Sequence, residues 1–137
     1  MVVLEGARGC GKTWTGLNHA RSEVRLDDDV ELRAASRLLP GKTLEGDRPR
    51  LVDEWQLAPG LWNSARHVAD SQHRAGLFIF TGSAHPADDL TRHSGAGRVM
   101  RVAMRPMSLL ESGESTGEVS LGRLLDGEAC AAGRSDA

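Results

Sequence analysis

The sequence predicts an α/β fold with a mostly parallel sheet, and two observations carry that prediction. Short apolar runs such as MVVLE (Met1–Glu5) and LFIFT (Leu77–Thr81) suit strands buried on both faces, as in a parallel sheet. Stretches with helical spacing separate these runs, and strand–helix alternation is the pattern of a sheet covered by helices. At 137 residues the chain is read as a single domain. A chain of this size buries roughly 70% of its unfolded surface, enough for a real core.

The elements follow in order. Met1–Glu5 is the first strand, ended by Gly6, and Lys12–Arg21 is compatible with a helix. Val24–Leu26 is a weak second strand. DDDVELRAASRLL reads as a helix with Asp27 or Asp28 as N-cap, ended by Pro40-Gly41. RLVD (Arg50–Asp53) is the third strand. Ala58–Arg74 is a helix with Pro59 near its first position. Its Leu61, Trp62, Ala65, Val68 and Ala69 fall on one face. Leu77–Thr81 is the fourth strand, and Pro86–Arg92 is a candidate short helix. Arg98–Met104 alternates and suits a fifth, edge strand, and Ser108–Ser112 is helix-compatible. After Gly113 the chain turns rich in Gly, Ser and Glu, a composition expected to be poorly ordered.

Gly6–Thr13, GARGCGKT, satisfies G-x-x-x-x-G-K-[ST] without a mismatch, and it lies between an expected strand and an expected helix, the context this motif requires. Backbone N–H groups at a helix N-terminus hold phosphate oxygens. Gly6 and Gly9 let the backbone bend, and Gly11 permits close approach. Lys12 places a point charge on β- and γ-phosphates, and the Thr13 hydroxyl is a ligand for Mg²⁺. The expected nucleotide contacts are Gly6, Ala7, Arg8, Gly9, Cys10, Gly11, Lys12, Thr13 and Trp14. Cys10 reads as a small loop residue, with a redox-sensitive thiol as the sharper alternative. A second GKT at Gly41–Thr43 lacks both the leading glycine and a preceding strand, and is discounted.

The third strand ends in two adjacent carboxylates, Asp53 and Glu54. In open α/β sheets ligands bind outside the carboxyl ends of strands. Asp53 is therefore expected to hold Mg²⁺ beside the phosphate loop. Glu54 can orient and deprotonate a water at the γ-phosphate, which favours hydrolysis over transfer to another acceptor. The alternative is a solvated strand end or a cap for the next helix. Thr81 and Ser83 at the tip of the fourth strand suit sensing of the γ-phosphate or attacking water, against a plain strand-end turn. Arg98 is a candidate arginine finger for a neighbouring subunit's nucleotide. Arg66 and Asp70, four residues apart, suit a helix-surface ion pair. The five histidines show no paired metal spacing.

The segments GARGCGKT, PRLVDEWQLAPGLWNSARHVAD, GLFIFTGSA and GRVMRVAMRPMSLLESGE occur in a recognisable order. Together they resemble the prokaryotic AAA+ superfamily ATPases that carry a second, C-terminal domain of unknown function. The resemblance implies a P-loop NTPase three-layer sandwich whose five-stranded sheet has the AAA-type order 5-1-4-3-2. It implies ATP and Mg²⁺, with Lys12, Thr13, Asp53 and Glu54 in matching positions and Ser83 or Thr81 as sensor. Residues 1–112 form the ATP-binding core on this reading, and 113–137 a linker toward a C-terminal domain that the chain lacks.

Three functions remain open: a Mg²⁺-dependent ATPase module, a nucleotide-binding remnant or switch with little hydrolysis, and a small P-loop kinase. A homo-oligomer, or a partner protein carrying the C-terminal domain, is expected to receive the conformational change. With 17 basic and 19 acidic residues and a net charge of −2, the chain has no polyanion-seeking bias, and nucleic acid stays undecided. Two cysteines in unlike contexts, no apolar run near ~18 residues and no signal-type leader point to a cytoplasmic protein without membrane attachment.

Overall fold

A computed structural model of the chain describes residues 1–82 and 97–127. The expected helix Pro86–Arg92 and Ser83 lie outside the described residues. The described residues hold five strands and five helices: β1 (Val2–Gly6), α1 (Lys12–His19), β2 (Ser22–Arg25), α2 (Val30–Leu38), α3 (Pro40–Thr43), β3 (Arg50–Asp53), α4 (Gly60–Gln72), β4 (Phe78–Gly82), β5 (Met100–Met104) and α5 (Leu121–Leu125). A single 3-10 turn, Trp55–Leu57, stands between β3 and α4. The strands form one sheet in the order β2-β3-β4-β1-β5, and every pairing is parallel. From the other edge this is the order 5-1-4-3-2 that the resemblance implies.

Parallel pairing fixes which side chains share a face, because side chains alternate along each strand. Val3, Val52 and Phe80 are register partners across β1, β4 and β3. With Phe78 and Val24 they face the larger core, covered by Leu61, Trp62 and Ala65 of α4. Trp55 and Trp62 stack at 5.1 Å between ring centroids, and both meet Phe80 edge-on, at 6.0 and 5.7 Å. The apolar face expected of α4 is the one it buries, with Val68 and Ala69 packed at its margin. On the other side of the sheet Leu4, Leu51 and Ile79 form a smaller core against Leu17 and Ala20.

Several local expectations are corrected. The cap of α2 is Asp29, neither Asp27 nor Asp28: its side chain accepts from the amides of Glu31 at 2.7 Å and Leu32 at 3.1 Å. Pro40 ends α2 but also opens α3, where its fixed φ suits a first helical position. Pro59 is the N-cap of α4, one position earlier than expected. Ser108–Ser112 is a turn, closed by a reciprocal capping box. In it the Ser108 amide and hydroxyl donate to Glu111 at 2.8 and 2.7 Å, and the Glu111 amide donates to Ser108 Oγ at 3.3 Å. Those bonds hold the Glu111 carboxyl below its ordinary range.

The chain divides into two compact units, with the boundary between Pro106 and Met107. The first holds the whole sheet and both cores. The second contains the Ser108–Glu111 turn and α5, whose N-cap is Ser120. No described helix is long and apolar enough to cross a membrane.

Candidate functional site

The site begins where β1 ends. Gly6 closes the strand beside β5, and a Cβ there would run into the Met104 carbonyl and the Cys10 sulfur. Its role is therefore close approach, not bending. Gly9 and Gly11 supply the bend, with φ of 81° and 88°, the left-handed region that glycine enters without steric cost. Gly11 caps α1, and the Thr15 amide donates to its carbonyl at 2.9 Å as the helix starts.

Lys12 is 6% exposed although it carries a charge. Its ammonium donates to the carbonyls of Gly6 at 2.9 Å and Ala7 at 2.7 Å, and reaches Cys10 Sγ at 3.8 Å. A buried ammonium needs such partners, since desolvation without them is costly. The loop thus wraps around its own lysine, and Cys10 is buried against it while Ala7, Arg8 and Gly9 face solvent.

Asp53 comes to this loop through the strand order. β3 and β4 are neighbours, and Asp53 is the register partner of Thr81. Both side chains share the α1 face of the sheet. The Thr13 hydroxyl donates to Asp53 at 3.1 Å to Oδ1 and 3.0 Å to Oδ2, and the Thr81 hydroxyl donates to the same Oδ1. Asp53 is 5% exposed and Thr81 is fully buried. A buried carboxylate is therefore satisfied from both sides by hydroxyls. Gly16 makes this possible. It is buried on α1, and a Cβ there would lie 2.7 Å from Leu51 Cδ1. The missing side chain lets the helix sit low enough for Thr13 to reach Asp53.

Glu54 has φ 51° and ψ 42°, a left-handed conformation rare for a residue of its type. Strand alternation ends there and the 3-10 turn begins, with the Leu57 amide donating to the Glu54 carbonyl at 2.9 Å. The bend brings Glu54 into the same cleft as Arg8, Gly9, Gly11, Lys12, Thr13 and Trp14, a volume of about 260 Å³. Gln56 Nε2 donates to the Glu54 carboxylate. The amide oxygen of Gln56 is buried beneath Gly82, without a partner among the described residues. From the sequence Gln56 reads as a loop polar residue, with a contact to nucleotide or a neighbouring subunit as the alternative, and nothing in its neighbours signals that it holds Glu54.

Arg98 is elsewhere. It lies two residues before β5, at the end of the sheet opposite the phosphate loop, and forks onto Asp70 at 3.1 and 3.2 Å. Its carbonyl accepts from the Met1 amino group at 2.8 Å. An arginine finger would have to leave this pair, and the same pair removes Asp70 from the helix-surface partnership expected with Arg66. The second GKT is structural: Thr43 is buried, donates to Ser36 Oγ at 3.0 Å, and its carbonyl takes Arg50 Nε at 2.9 Å.

The structure thus gathers Lys12, Thr13, Asp53, Glu54 and Thr81 at the carboxyl ends of β1, β3 and β4. Two hydroxyls and a carboxylate stand beside a lysine inside a glycine loop. No curated protein matches the chain. A family model described as an AAA domain matches residues 1–112, which span the sheet, the phosphate loop and all five of these residues. An AAA domain is a nucleotide-binding module of the phosphate-loop type, and this chain belongs to that family.

Proposed function

We propose that the chain is a Mg²⁺-dependent ATP-hydrolysing module. The observation that carries this reading is the Thr13–Asp53–Thr81 cluster beside Lys12 and Glu54. Thr13 Oγ1 and the Asp53 carboxylate are hard oxygen donors about one hydrogen bond apart. That fits Mg²⁺, which takes one or two protein oxygens and keeps several waters. When bound, the ion supplies positive charge against the β- and γ-phosphates. Lys12 gives up a loop carbonyl to meet a phosphate oxygen, and the loop amides hold the rest. Thr81 keeps Asp53 oriented. Glu54 accepts a proton from a water whose oxygen attacks the γ-phosphorus, and the bond to the β-phosphate oxygen breaks to leave ADP and phosphate.

The resemblance to two-domain ATPases supports a further reading. The turnover moves a homo-oligomer neighbour or a cytoplasmic partner carrying the C-terminal domain. A second reading, a switch that binds and barely hydrolyses, is favoured by one contact: the Glu54 carboxylate is already engaged by Gln56.

Calorimetric ATP affinity and phosphate release separate the two. Lys12→Ala is expected to abolish ATP binding. Glu54→Gln is expected to keep binding and lower phosphate release by about 10²–10⁴-fold, the usual weight of a general base. If the wild type releases phosphate no faster than Glu54→Gln, hydrolysis is excluded and the switch stands. Transfer of label to a small acceptor would point to a kinase instead.

A further inference from the structure

The chain holds three Trp, two Phe and no Tyr. Four of these five rings, Trp55, Trp62, Phe78 and Phe80, are buried in the larger core. The fifth, Trp14, is 74% exposed in the first turn of α1, directly after Thr13. It is also a wall of the cleft formed by Arg8, Lys12, Thr13 and Glu54. Trp is the side chain with most apolar surface to lose, so an indole left in water beside a charged cleft has no folding rationale. A rigid π-face next to a phosphate cradle has a binding one.

We propose that Trp14 is the platform on which the nucleobase stacks. This rests on the nucleotide reading above. The cleft, about 260 Å³, is smaller than the roughly 300–1,000 Å³ of sites that enclose a drug-sized ligand. It has room for the phosphate chain, so the sugar and base lie at its mouth, where Trp14 is the sole Phe, Tyr or Trp outside the core. Every base has a π-face, so the contact selects a nucleotide over a bare polyphosphate without hydrogen-bond readout of the base.

Acrylamide quenching tests this directly, because Trp14 is open to the quencher while Trp55 and Trp62 are each 5% exposed. ATP with Mg²⁺ is expected to shield Trp14, and inorganic tripolyphosphate is not. By calorimetry, Trp14→Ala should weaken ATP binding by roughly 5- to 150-fold, the range of one base–aromatic stack. It should change tripolyphosphate affinity less than about twofold. Trp14→Phe should recover most of the loss. The stack is overturned if ATP leaves quenching unchanged, or if Trp14→Ala weakens ATP and tripolyphosphate alike, which would make Trp14 a support for the loop. Tripolyphosphate binding without Trp14 protection by ATP removes the stack and leaves the phosphate site intact. A wild-type protein that binds neither ligand loses both readings.

Discussion

Glu54 is where a single residue joins backbone conformation to chemistry. A non-glycine residue held in the left-handed region costs on the order of 1–3 kcal/mol, sustained by the packing around it. Here the buried Trp55 that follows and the 3-10 turn hold the conformation. A comparison of Glu54→Asn with Glu54→Val isolates the backbone term, because both variants lack the carboxylate and its bond from Gln56. Asn enters the left-handed region readily and a β-branched residue does not. Urea unfolding is expected to place Glu54→Asn within about 1 kcal/mol of the wild type and Glu54→Val about 1–3 kcal/mol below it. Equal losses would assign the cost to the Gln56 contact. At this scale the sequence was readable in part. GARGCGKT falls between β1 and α1 as its pattern requires, and Asp53 stands at the end of β3 beside it, as its place in the strand suggested. The sign of φ at Glu54 leaves no mark on hydrophobic pattern. Nor does the sequence reveal which of three successive Asp residues caps α2, since all three have the same chemistry.

Among the elements, α1 and β3 set the site, and Gly16 sets their distance. Glycine inside a helix is a liability of about 1 kcal/mol relative to alanine, and here close packing on Leu51 explains it. Leu51 is fully buried, so its methyl would have to shift within the smaller core. Gly16→Val is therefore expected to lose about 1–3 kcal/mol by overpacking. It should also lift Thr13 away from Asp53, so ATP affinity should fall in the folded fraction as well. A variant that loses stability yet binds ATP at wild-type strength would show that α1 does not need this depth. Element type was well marked: each of the five strands lies within two residues of its expected span, and the α4 stripe was visible from spacing alone. Partners distant in sequence were not. Asp70 seemed destined for Arg66 by helical spacing, and only the entry into β5 brings Arg98 onto it. The link from Thr81 to Asp53 likewise needs the β3–β4 register before it can be read.

Across the molecule the two faces of the sheet divide the labour. The face under α4 carries the aromatic cluster of Trp55, Trp62 and Phe80, while the face under α1 carries a smaller core and the site. The larger core and the candidate site are thus placed on opposite sides of one sheet. Truncating a buried aromatic typically costs about 3–5 kcal/mol, a large share of the 5–15 kcal/mol that holds a domain together. Trp62→Ala is expected to lower the unfolding free energy by that amount in a urea titration. Because Trp62 packs on the face away from Lys12, Thr13 and Asp53, the folded fraction should bind ATP with wild-type affinity. Ligand binding adds RT ln(1 + [L]/Kd), about 2.7 kcal/mol at a hundredfold excess over Kd. The same increment is therefore expected for the wild type and for Trp62→Ala when the titration is repeated with ATP and Mg²⁺ at that excess. A markedly smaller increment in the variant would mean that the aromatic core, through Trp55 and the turn that begins at Glu54, also shapes the cleft.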